Sequence, residues 1–202
     1  MKRIGLTLII ITLFIGCASP RQPYIVPQYI KDRPSVEIFN KALHDMEITE
    51  ECKLYFYGGK APNAFVDANN NVNLSEGLFR YDDDTLTFVI VHEMAHIKLN
   101  HVQKKQAVSI ATTGVMMIVD IFVPGAGLLN YAVNPAVTSN YSKPQEREAD
   151  QLASDVLVTH FGISIERQIQ ILKTLQKDSA EGGGFWDSHP SWNDRIANIQ
   201  NK

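Results

Sequence analysis

Residues 92–96 read His-Glu-Met-Ala-His, and this pattern constrains the chain more than any other segment. On a helix, two histidines four positions apart share one face, with their Cβ atoms about 5–6 Å apart. Both imidazoles can therefore reach one zinc ion at about 2.0–2.1 Å. Glu93 is rotated by about 100° from His92, so it flanks such an ion and can take a proton from water. His-Glu-x-x-His on a helix is the signature of zinc hydrolases with this division of labour.

The residues around the motif predict a largely buried helix. Residues 85–91 are mostly apolar, and an aspartate among residues 82–84 can cap a helix that runs to about residue 105. Burying His92, Glu93 and His96 without a metal ion would be costly in free energy. The alternative is that the two histidines are core residues satisfied by hydrogen bonds.

A third zinc ligand is expected in the segment Glu-Arg-Glu-Ala-Asp at residues 146–150. Glu146 and Asp150 lie one turn apart on a predicted helix that begins after a Ser142 cap and ends before Gly162. They share a stripe with apolar residues, so each carboxylate needs a partner. We interpret Glu146 as a metal ligand and Asp150 as the acceptor of a hydrogen bond from a ligand histidine. The alternative is a solvated face.

Two further histidines are weaker candidates. His101 follows His96 by five residues, which does not fit the metzincin spacing, so we expect an ordinary exposed residue at a helix end. His189 stands between the glycine-rich residues 181–184 and Pro190. It can donate a hydrogen bond to an oxyanion, occupy the open zinc position as a self-inhibiting plug, or simply pack near Trp192.

The remaining patterns indicate short strands and amphipathic helices. Helical spacing predicts a helix over residues 35–48, and residues 53–57 predict a strand. Residues 63–79 read as two short strands around a turn at Asn69, Asn70 and Asn71. The apolar stretch over residues 107–123 is broken by Asp120. Its uninterrupted part is shorter than the about 20 residues that span a bilayer, which favours a buried helix over a membrane contact.

Together, several motifs resemble the zinc metallopeptidase family of HtpX and the CAAX prenyl proteases, which belongs to the gluzincins. These motifs are HEMAH (92–96), EREAD (146–150), HPSWNDRI (189–196), NAFV (63–66) and VNLSEGLF (72–79). The resemblance covers residues 35–202 and is greatest to the soluble, lipoprotein branch of the family. It implies an α+β fold: a mostly helical zincin-like domain with a small antiparallel sheet beside the HExxH helix.

The resemblance also implies roles for individual residues. His92, His96 and Glu146 match the ligands of one zinc ion per chain, Glu93 matches the catalytic glutamate, and Asp150 matches the aspartate one turn after the third ligand. The implied activity is hydrolysis of peptide bonds within protein substrates.

An extended or unfolded protein substrate is the expected partner. It would pair with an edge strand from residues 63–67 or 71–75, and our candidate residues are Asn63, Ala64 and Phe65. Backbone pairing demands little of the substrate sequence, which suits quality control of misassembled envelope proteins. The alternatives are a zinc-bound, chaperone-like lipoprotein with little proteolysis, and a structural lipoprotein whose motif is incidental.

The N-terminus has the layout of a lipoprotein signal peptide. Lys2 and Arg3 precede an apolar run, which reaches Gly16-Cys17. We predict a signal peptide over residues 1–16, lipidation of Cys17, a proline-rich tether over residues 17–34 and a zinc metallopeptidase domain over residues 35–202. A plain signal peptide and an uncleaved anchor helix are the alternatives.

These features predict attachment to a membrane through the N-terminal lipid. The location would be the periplasmic face of a Gram-negative envelope, and Ala18 favours the outer membrane because it is not the aspartate that retains lipoproteins at the inner one. The formal net charge of -3 and the absence of a run of like charge argue against a nucleic-acid partner.

Overall fold

The computed structural model describes residues 24–104, 141–179, 189 and 192–201, and helices predominate in this part of the chain. In chain order the elements are α1 (Gln28–Lys31), α2 (Ser35–Asp45), β1 (Leu54–Tyr57), β2 (Ala64–Val66), β3 (Val72–Ser75), a 3-10 helix (Glu76–Arg80), α3 (Asp83–Lys98), α4 (Lys143–Phe161), α5 (Ile165–Ser179) and α6 (Trp192–Gln200). The predicted α+β fold, mostly helical with a small sheet, is confirmed. The predicted signal peptide, Cys17 and the apolar stretch at 107–123 lie outside the described residues.

The helix α3, which carries the HExxH motif, lies at the centre of the fold. Every residue from Thr85 to Ile97 is buried, because α2, α4, α5 and the sheet all pack against this helix. A helix that is buried all round needs an apolar sequence on every face, and residues 86–91 provide it. The three polar residues of the motif are therefore enclosed by protein.

Both ends of α3 have local causes. The Asp82 side chain accepts a hydrogen bond of 2.9 Å from the backbone N–H of Thr85 and caps the first turn. The helix ends at Lys98, because Asn100 adopts a left-handed conformation with φ of 55°. Residues 101–104 are helical again. The prediction of one continuous helix to about residue 105 is wrong for this reason.

The sheet has the strand order β1-β3-β2 and is mixed. β2 and β3 are antiparallel, as expected for strands joined by the Asn69–Asn71 turn, which is stabilised by backbone hydrogen bonds to the Asp67 carboxylate. β1 runs parallel to β3, so the expectation of a purely antiparallel sheet is corrected. In the described part of the chain β3 is the central strand. Residues 72–75 are therefore excluded as an edge strand, whereas β2 lies at an edge.

Helix α4 begins and ends where the sequence predicts. Ser142 and Gln145 form a reciprocal capping box at its start, and Gly162 ends it in a left-handed conformation with φ of 68°. The helices α5 and α6 then pack against each other and against α4. This arrangement brings the start of α4 and the chain around α6 next to the HExxH face of α3.

The segment over residues 24–34 packs against the domain, although we predicted it as part of an extended tether. Ile30 is buried, and the Arg33 guanidinium donates hydrogen bonds to the backbone carbonyls of Phe79 and Tyr81. Pro27 and Pro34 directly precede α1 and α2, a position where proline is compatible with a helix start. The tether prediction is therefore corrected for residues 24–34.

Among the described residues, no helix combines the length and the apolar content that crossing a bilayer requires.

Candidate metal centre

Four side chains from three parts of the chain converge at the buried face of α3. His92 and His96 come from α3, Glu146 from the first turn of α4, and His189 from the chain just before α6. One nitrogen or oxygen atom from each residue lies within 4.8 Å of the atoms from the other three. All four residues are at most 1% exposed. The prediction that Glu146 lies beside the histidine pair therefore agrees with the geometry.

The spacing of the atoms fits a shared metal ion. His92 Nε2 and His96 Nε2 are 3.1 Å apart. The Glu146 carboxylate lies 3.4 Å from His96 Nε2 and 3.6 Å from His92 Nε2. A tetrahedral ion with ligands at about 2.0–2.1 Å keeps its ligand atoms about 3.3 Å apart. The three predicted ligands therefore already have the separations that such an ion requires.

One carboxylate oxygen lacks a hydrogen-bond donor. Glu146 Oε2 is buried and accepts no hydrogen bond from the described residues, and its cationic neighbour, Arg195 Nε, lies 3.6 Å away. Leaving a buried oxygen without a hydrogen bond is unfavourable, and a metal ion at the cluster would contact it more closely than Arg195 does. This donor set, two imidazoles and a carboxylate, suits a transition-metal ion such as zinc.

The protonation states of the ligands favour metal binding. Burial lowers the pKa of His96 to about 3, so this imidazole is neutral at pH 7 and keeps a lone pair for a metal. For Glu146, burial alone would raise the pKa, but the charge of His189 and its hydrogen bond to the carboxylate outweigh it. The pKa of Glu146 therefore lies well below its ordinary value, and the carboxylate is ionised.

Glu93 flanks the cluster and is outside the ligand set. Its side chain is fully buried, and Oε1 lies 3.2 Å from His189 Nε2. Burial raises the pKa of Glu93, but the positive charge of His189 outweighs this effect and leaves the pKa below its ordinary value. An ionised carboxylate beside the ligands is the arrangement that a general base requires.

The outer nitrogen of His92 is held by a buried ion pair. His92 Nδ1 lies 3.1 Å from Asp150 Oδ1, which places Asp150 where the sequence predicts it. Arg195 donates to both oxygens of this carboxylate, over 2.6 Å from Nη2 to Oδ1 and 2.9 Å from Nε to Oδ2. Burial raises the pKa of Asp150, but the charge of Arg195 outweighs it, and the pKa is lowered.

Arg195 is a further residue of this site that the motifs did not indicate, although its position in the sequence carries a signal. Arg195 follows Trp192 by three residues and precedes Ile199 by four, so on a helix all three lie on one face. An arginine on an apolar helical face is rarely buried without a partner. That combination predicts a buried anion nearby.

The outer nitrogen of His96 is held by a neutral group. His96 Nδ1 and His101 Nδ1 are 2.9 Å apart, and His101 Nε2 lies 3.2 Å from Glu148 Oε2. The Tyr141 ring stacks on the His96 ring, with the centroids 3.7 Å apart and the planes at 16°. The expectation that His101 is exposed is wrong, because it is fully buried. The left-handed turn at Asn100 ends α3 and redirects the chain just before His101.

Residues 36–202 match the sequence profile of peptidase family M48. This chain belongs to peptidase family M48. Two relatives from Escherichia coli (strain K12) agree with the assignment. Metalloprotease LoiP is 29% identical in an alignment 153 residues long that covers 72% of this chain and 60% of LoiP. Metalloprotease YcaL is 28% identical in an alignment 149 residues long that covers 69% of this chain and 58% of YcaL. The aligned part of this chain thus spans about three-fifths of the length of each relative.

In this M48 protein His189 lies among the ligand atoms. Its Nδ1 is 2.9 Å from Glu146 Oε1 and 3.4 Å from His92 Nε2. Burial lowers the pKa of His189, but the Glu146 and Glu93 carboxylates outweigh it and raise the pKa to about 9. The fourth side of the cluster is therefore closed by an imidazole in this arrangement.

The predicted substrate strand lies beside the same helix of the M48 domain. β2 packs against α3, Ala64 is fully buried, and Phe65 is 37% exposed on the outer face. The backbone N–H of Asn63 donates to Ser75 Oγ over 2.7 Å, which holds the start of β2 to the end of β3. Of the two candidate segments, residues 63–67 thus contain an edge strand.

Proposed function

We propose that this chain is a zinc-dependent endopeptidase that cleaves unfolded or misassembled envelope proteins. The observation that carries the proposal is the convergence of His92, His96 and Glu146 at 3.1–3.6 Å beside the buried Glu93 carboxylate. Membership of family M48 and the likeness to two proteins named metalloproteases support it.

In this proposal His92, His96 and Glu146 hold one zinc ion. When bound, zinc supplies a Lewis acid that polarises a peptide carbonyl and makes water more acidic. Glu93 takes the proton from the attacking water and passes it to the nitrogen of the leaving amine. Asp150 keeps the proton of His92 on Nδ1, so that Nε2 faces the cluster.

We infer that His189 acts as a plug in the arrangement described above. Its Nδ1 lies within hydrogen-bonding distance of the Glu146 ligand oxygen, so it fills the side of the cluster that a substrate carbonyl must approach. His189 would have to move before the site can turn over. The alternative is that His189 donates a hydrogen bond to the oxyanion, in which case its removal would lower activity instead of raising it.

An extended substrate backbone would pair with β2, which presents residues 64–66 at the sheet edge in the described part of the chain. Such pairing uses main-chain groups and takes many sequences. The exposed Phe65 ring, which lies 5.9 Å from the Tyr57 ring, offers an apolar contact for a substrate side chain. This combination supports unfolded protein as the substrate class.

The location follows from the sequence of the N-terminus. A lipidated Cys17 would attach the protein to the periplasmic face of a Gram-negative envelope, and Ala18 favours the outer membrane. A lipid-attached peptidase reaches substrates at the membrane surface, which fits misassembled envelope proteins. Residues 24–34 pack on the domain, so the tether would be residues 17–23.

A second candidate function is a zinc-bound protein that binds unfolded chains and rarely cleaves them. The buried position of His189 against Glu146 favours it, because a closed fourth position excludes water and substrate from the ion. The two functions differ in whether His189 leaves the cluster when substrate binds.

The test is cleavage of casein by the purified protein, with and without a chelator, alongside elemental analysis. We expect about one zinc per chain and turnover that the chelator removes. Glu93→Gln should retain zinc and lower kcat by a factor of about 100 to 10,000, the contribution of a general base. Glu37→Gln, which changes an exposed glutamate on α2, is the matched control and should behave as wild type.

Each outcome separates the candidates. Zinc without cleavage in the wild type would favour the binding function. A folded protein without zinc would overturn both candidates and leave the structural lipoprotein. Undiminished turnover by Glu93→Gln would remove Glu93 from the mechanism.

A further inference from the structure

We propose that His101 is a positioning residue for His96, and that together with Glu148 it fixes which nitrogen of His96 faces the metal. The inference rests on the proposed function, because it assumes that the cluster binds zinc. It assigns a role to a histidine that lies outside the ligand set.

The two nitrogens of the His96 ring point to different partners. His96 Nε2 points at the cluster, since it lies 3.1 Å from His92 Nε2 and 3.4 Å from the Glu146 carboxylate. The other nitrogen, Nδ1, lies 2.9 Å from His101 Nδ1. Two ring nitrogens at this distance share one hydrogen, which one of them donates to the other.

The proton positions then follow along the chain of contacts. A metal ligand needs its lone pair on Nε2, so the proton of neutral His96 sits on Nδ1 and is donated to His101 Nδ1. His101 must accept at Nδ1, so its own proton sits on Nε2. That nitrogen lies 3.2 Å from Glu148 Oε2, a carboxylate oxygen that can accept it. Each donor in the series thus meets an acceptor.

The local structure holds His101 in place for this role. His101 is fully buried, and its backbone carbonyl accepts a hydrogen bond of 3.4 Å from the Gln145 side chain in the first turn of α4. The same turn carries the ligand Glu146. Because α4 contacts both the ring and the backbone of His101, the position of this residue is tied to the position of the third ligand.

A purely structural role for His101 predicts a different result. A core histidine that only fills space contributes to folding whether or not zinc is bound, so its replacement lowers stability without changing zinc affinity. A positioning residue changes the affinity itself, because the free ring of His96 can rotate or hold its proton on Nε2. Partners of this kind typically change metal affinity by about 10- to 100-fold.

The experiment measures zinc affinity of the full chain by competition with a chromophoric chelator. His101→Phe keeps a ring of similar shape but cannot accept a hydrogen bond, and we expect it to weaken zinc binding by about 10- to 100-fold. His101→Asn offers an amide oxygen near the position of Nδ1 and should recover most of the lost affinity. His44→Asn changes a histidine whose side chain is 90% exposed and should bind zinc as wild type does.

A second variant covers the case in which His101→Phe does not fold. Glu148→Leu changes a side chain that is 55% exposed, so it should leave the fold intact and still weaken zinc binding, though less than His101→Phe. Thermal unfolding with chelator present shows whether each variant retains its metal-free stability. Wild-type affinity in a folded His101→Phe, or wild-type affinity in Glu148→Leu where His101→Phe does not fold, would overturn the inference.

The failure of this inference can be told apart from failure of the proposed function. If the wild type binds zinc and His92→Ala loses it, while His101→Phe binds zinc as tightly as wild type, only the role of His101 is wrong. If the wild type does not bind zinc at all, the proposed function fails and the inference fails with it.

Discussion

The two histidines of the HExxH motif on α3 are supported in different ways by the same helix α4. His92 contacts Asp150, which forms a bidentate ion pair with Arg195, and all three residues are buried. His96 contacts His101, a neutral group whose far nitrogen meets Glu148 at the protein surface. The network behind His92 is buried and charged. The network behind His96 ends at the Glu148 side chain, which is in contact with water.

The difference matters because removing a residue from each network has a different free-energy cost. Removing one member of a buried ion pair leaves an uncompensated charge in a region of low dielectric constant. Removing an exposed carboxylate removes only an interaction that water already screens. We therefore expect mutations on the His92 side to act on the stability of the whole domain, and those on the His96 side to act mainly on the metal.

The largest expected effect on stability comes from Arg195→Met. It leaves the buried Asp150 carboxylate without its cation, and we expect the free energy of unfolding to fall by about 3–5 kcal/mol. Urea denaturation in the presence of chelator measures this change without a contribution from zinc. Glu148→Leu on the other side should change the same quantity by about 1 kcal/mol or less.

A double variant sharpens this prediction. Asp150→Leu combined with Arg195→Met removes both charges, and the free energy of unfolding should recover relative to Arg195→Met alone, because the penalty comes from the unpaired charge. If the loss of unfolding free energy in the double variant equals the sum of the losses in the two single variants, Asp150 and Arg195 contribute independent contacts. The expected difference between the His92 and His96 sides would then be wrong.

The convergence of His92, His96 and Glu146 was predictable because their residue types and spacings are specific. Two histidines four apart on a buried helix, and a carboxylate on an apolar stripe of a capped helix, each lack a partner within their own element. The direction of β1 was not predictable, because it depends on how the chain crosses between strands. His101 was misjudged because the left-handed Asn100 ends α3 at Lys98, which helical periodicity does not show.

The Asp150–Arg195 pair illustrates a second limit. The two residues lie 45 positions apart, and neither sequence segment indicates that the other contains its partner. The spacing with Trp192 and Ile199 indicates that Arg195 faces inward, but the identity of its partner is decided by how α6 packs on α4. Long-range pairing of this kind is a property of the tertiary structure.

The pH dependence of stability should also differ between the two sides. Burial keeps His96 neutral in the fold, with a pKa of about 3, whereas an unfolded histidine binds a proton below about pH 6.5. Because of His96, the unfolded state binds more protons between these values, which lowers the free energy of unfolding on acidification. His189, whose pKa in the fold is raised to about 9, acts in the opposite direction above about pH 6.5. The expected slope from His96 is up to about 1.4 kcal/mol per pH unit, and His101, whose pKa burial also lowers, acts in the same direction.

Asp150, which supports His92, should respond only at lower pH. The lowered pKa of Asp150 means that its stabilising charge is present above the ordinary aspartate value of about 3.9, and is lost as the pH falls through the folded value. Denaturation at pH 7, 6 and 5 with chelator tests the difference. His96→Gln should flatten the slope and the exposed His44→Gln should keep it. An unchanged slope in His96→Gln would contradict the assignment of a buried neutral imidazole.

The smallest expected effect is on activity and concerns His189, which contacts both sides of the cluster. If His189 is a plug, the closed arrangement withholds most molecules from turnover, and His189→Ala should raise kcat/KM for casein. The gain would be about tenfold if about 90% of molecules are closed.

A fall in kcat with KM little changed would instead assign His189 to the oxyanion, because an interaction made only in the transition state would be missing. Unchanged activity would mean that His189 only packs at the start of α6, and the closed fourth side of the cluster would have no bearing on turnover.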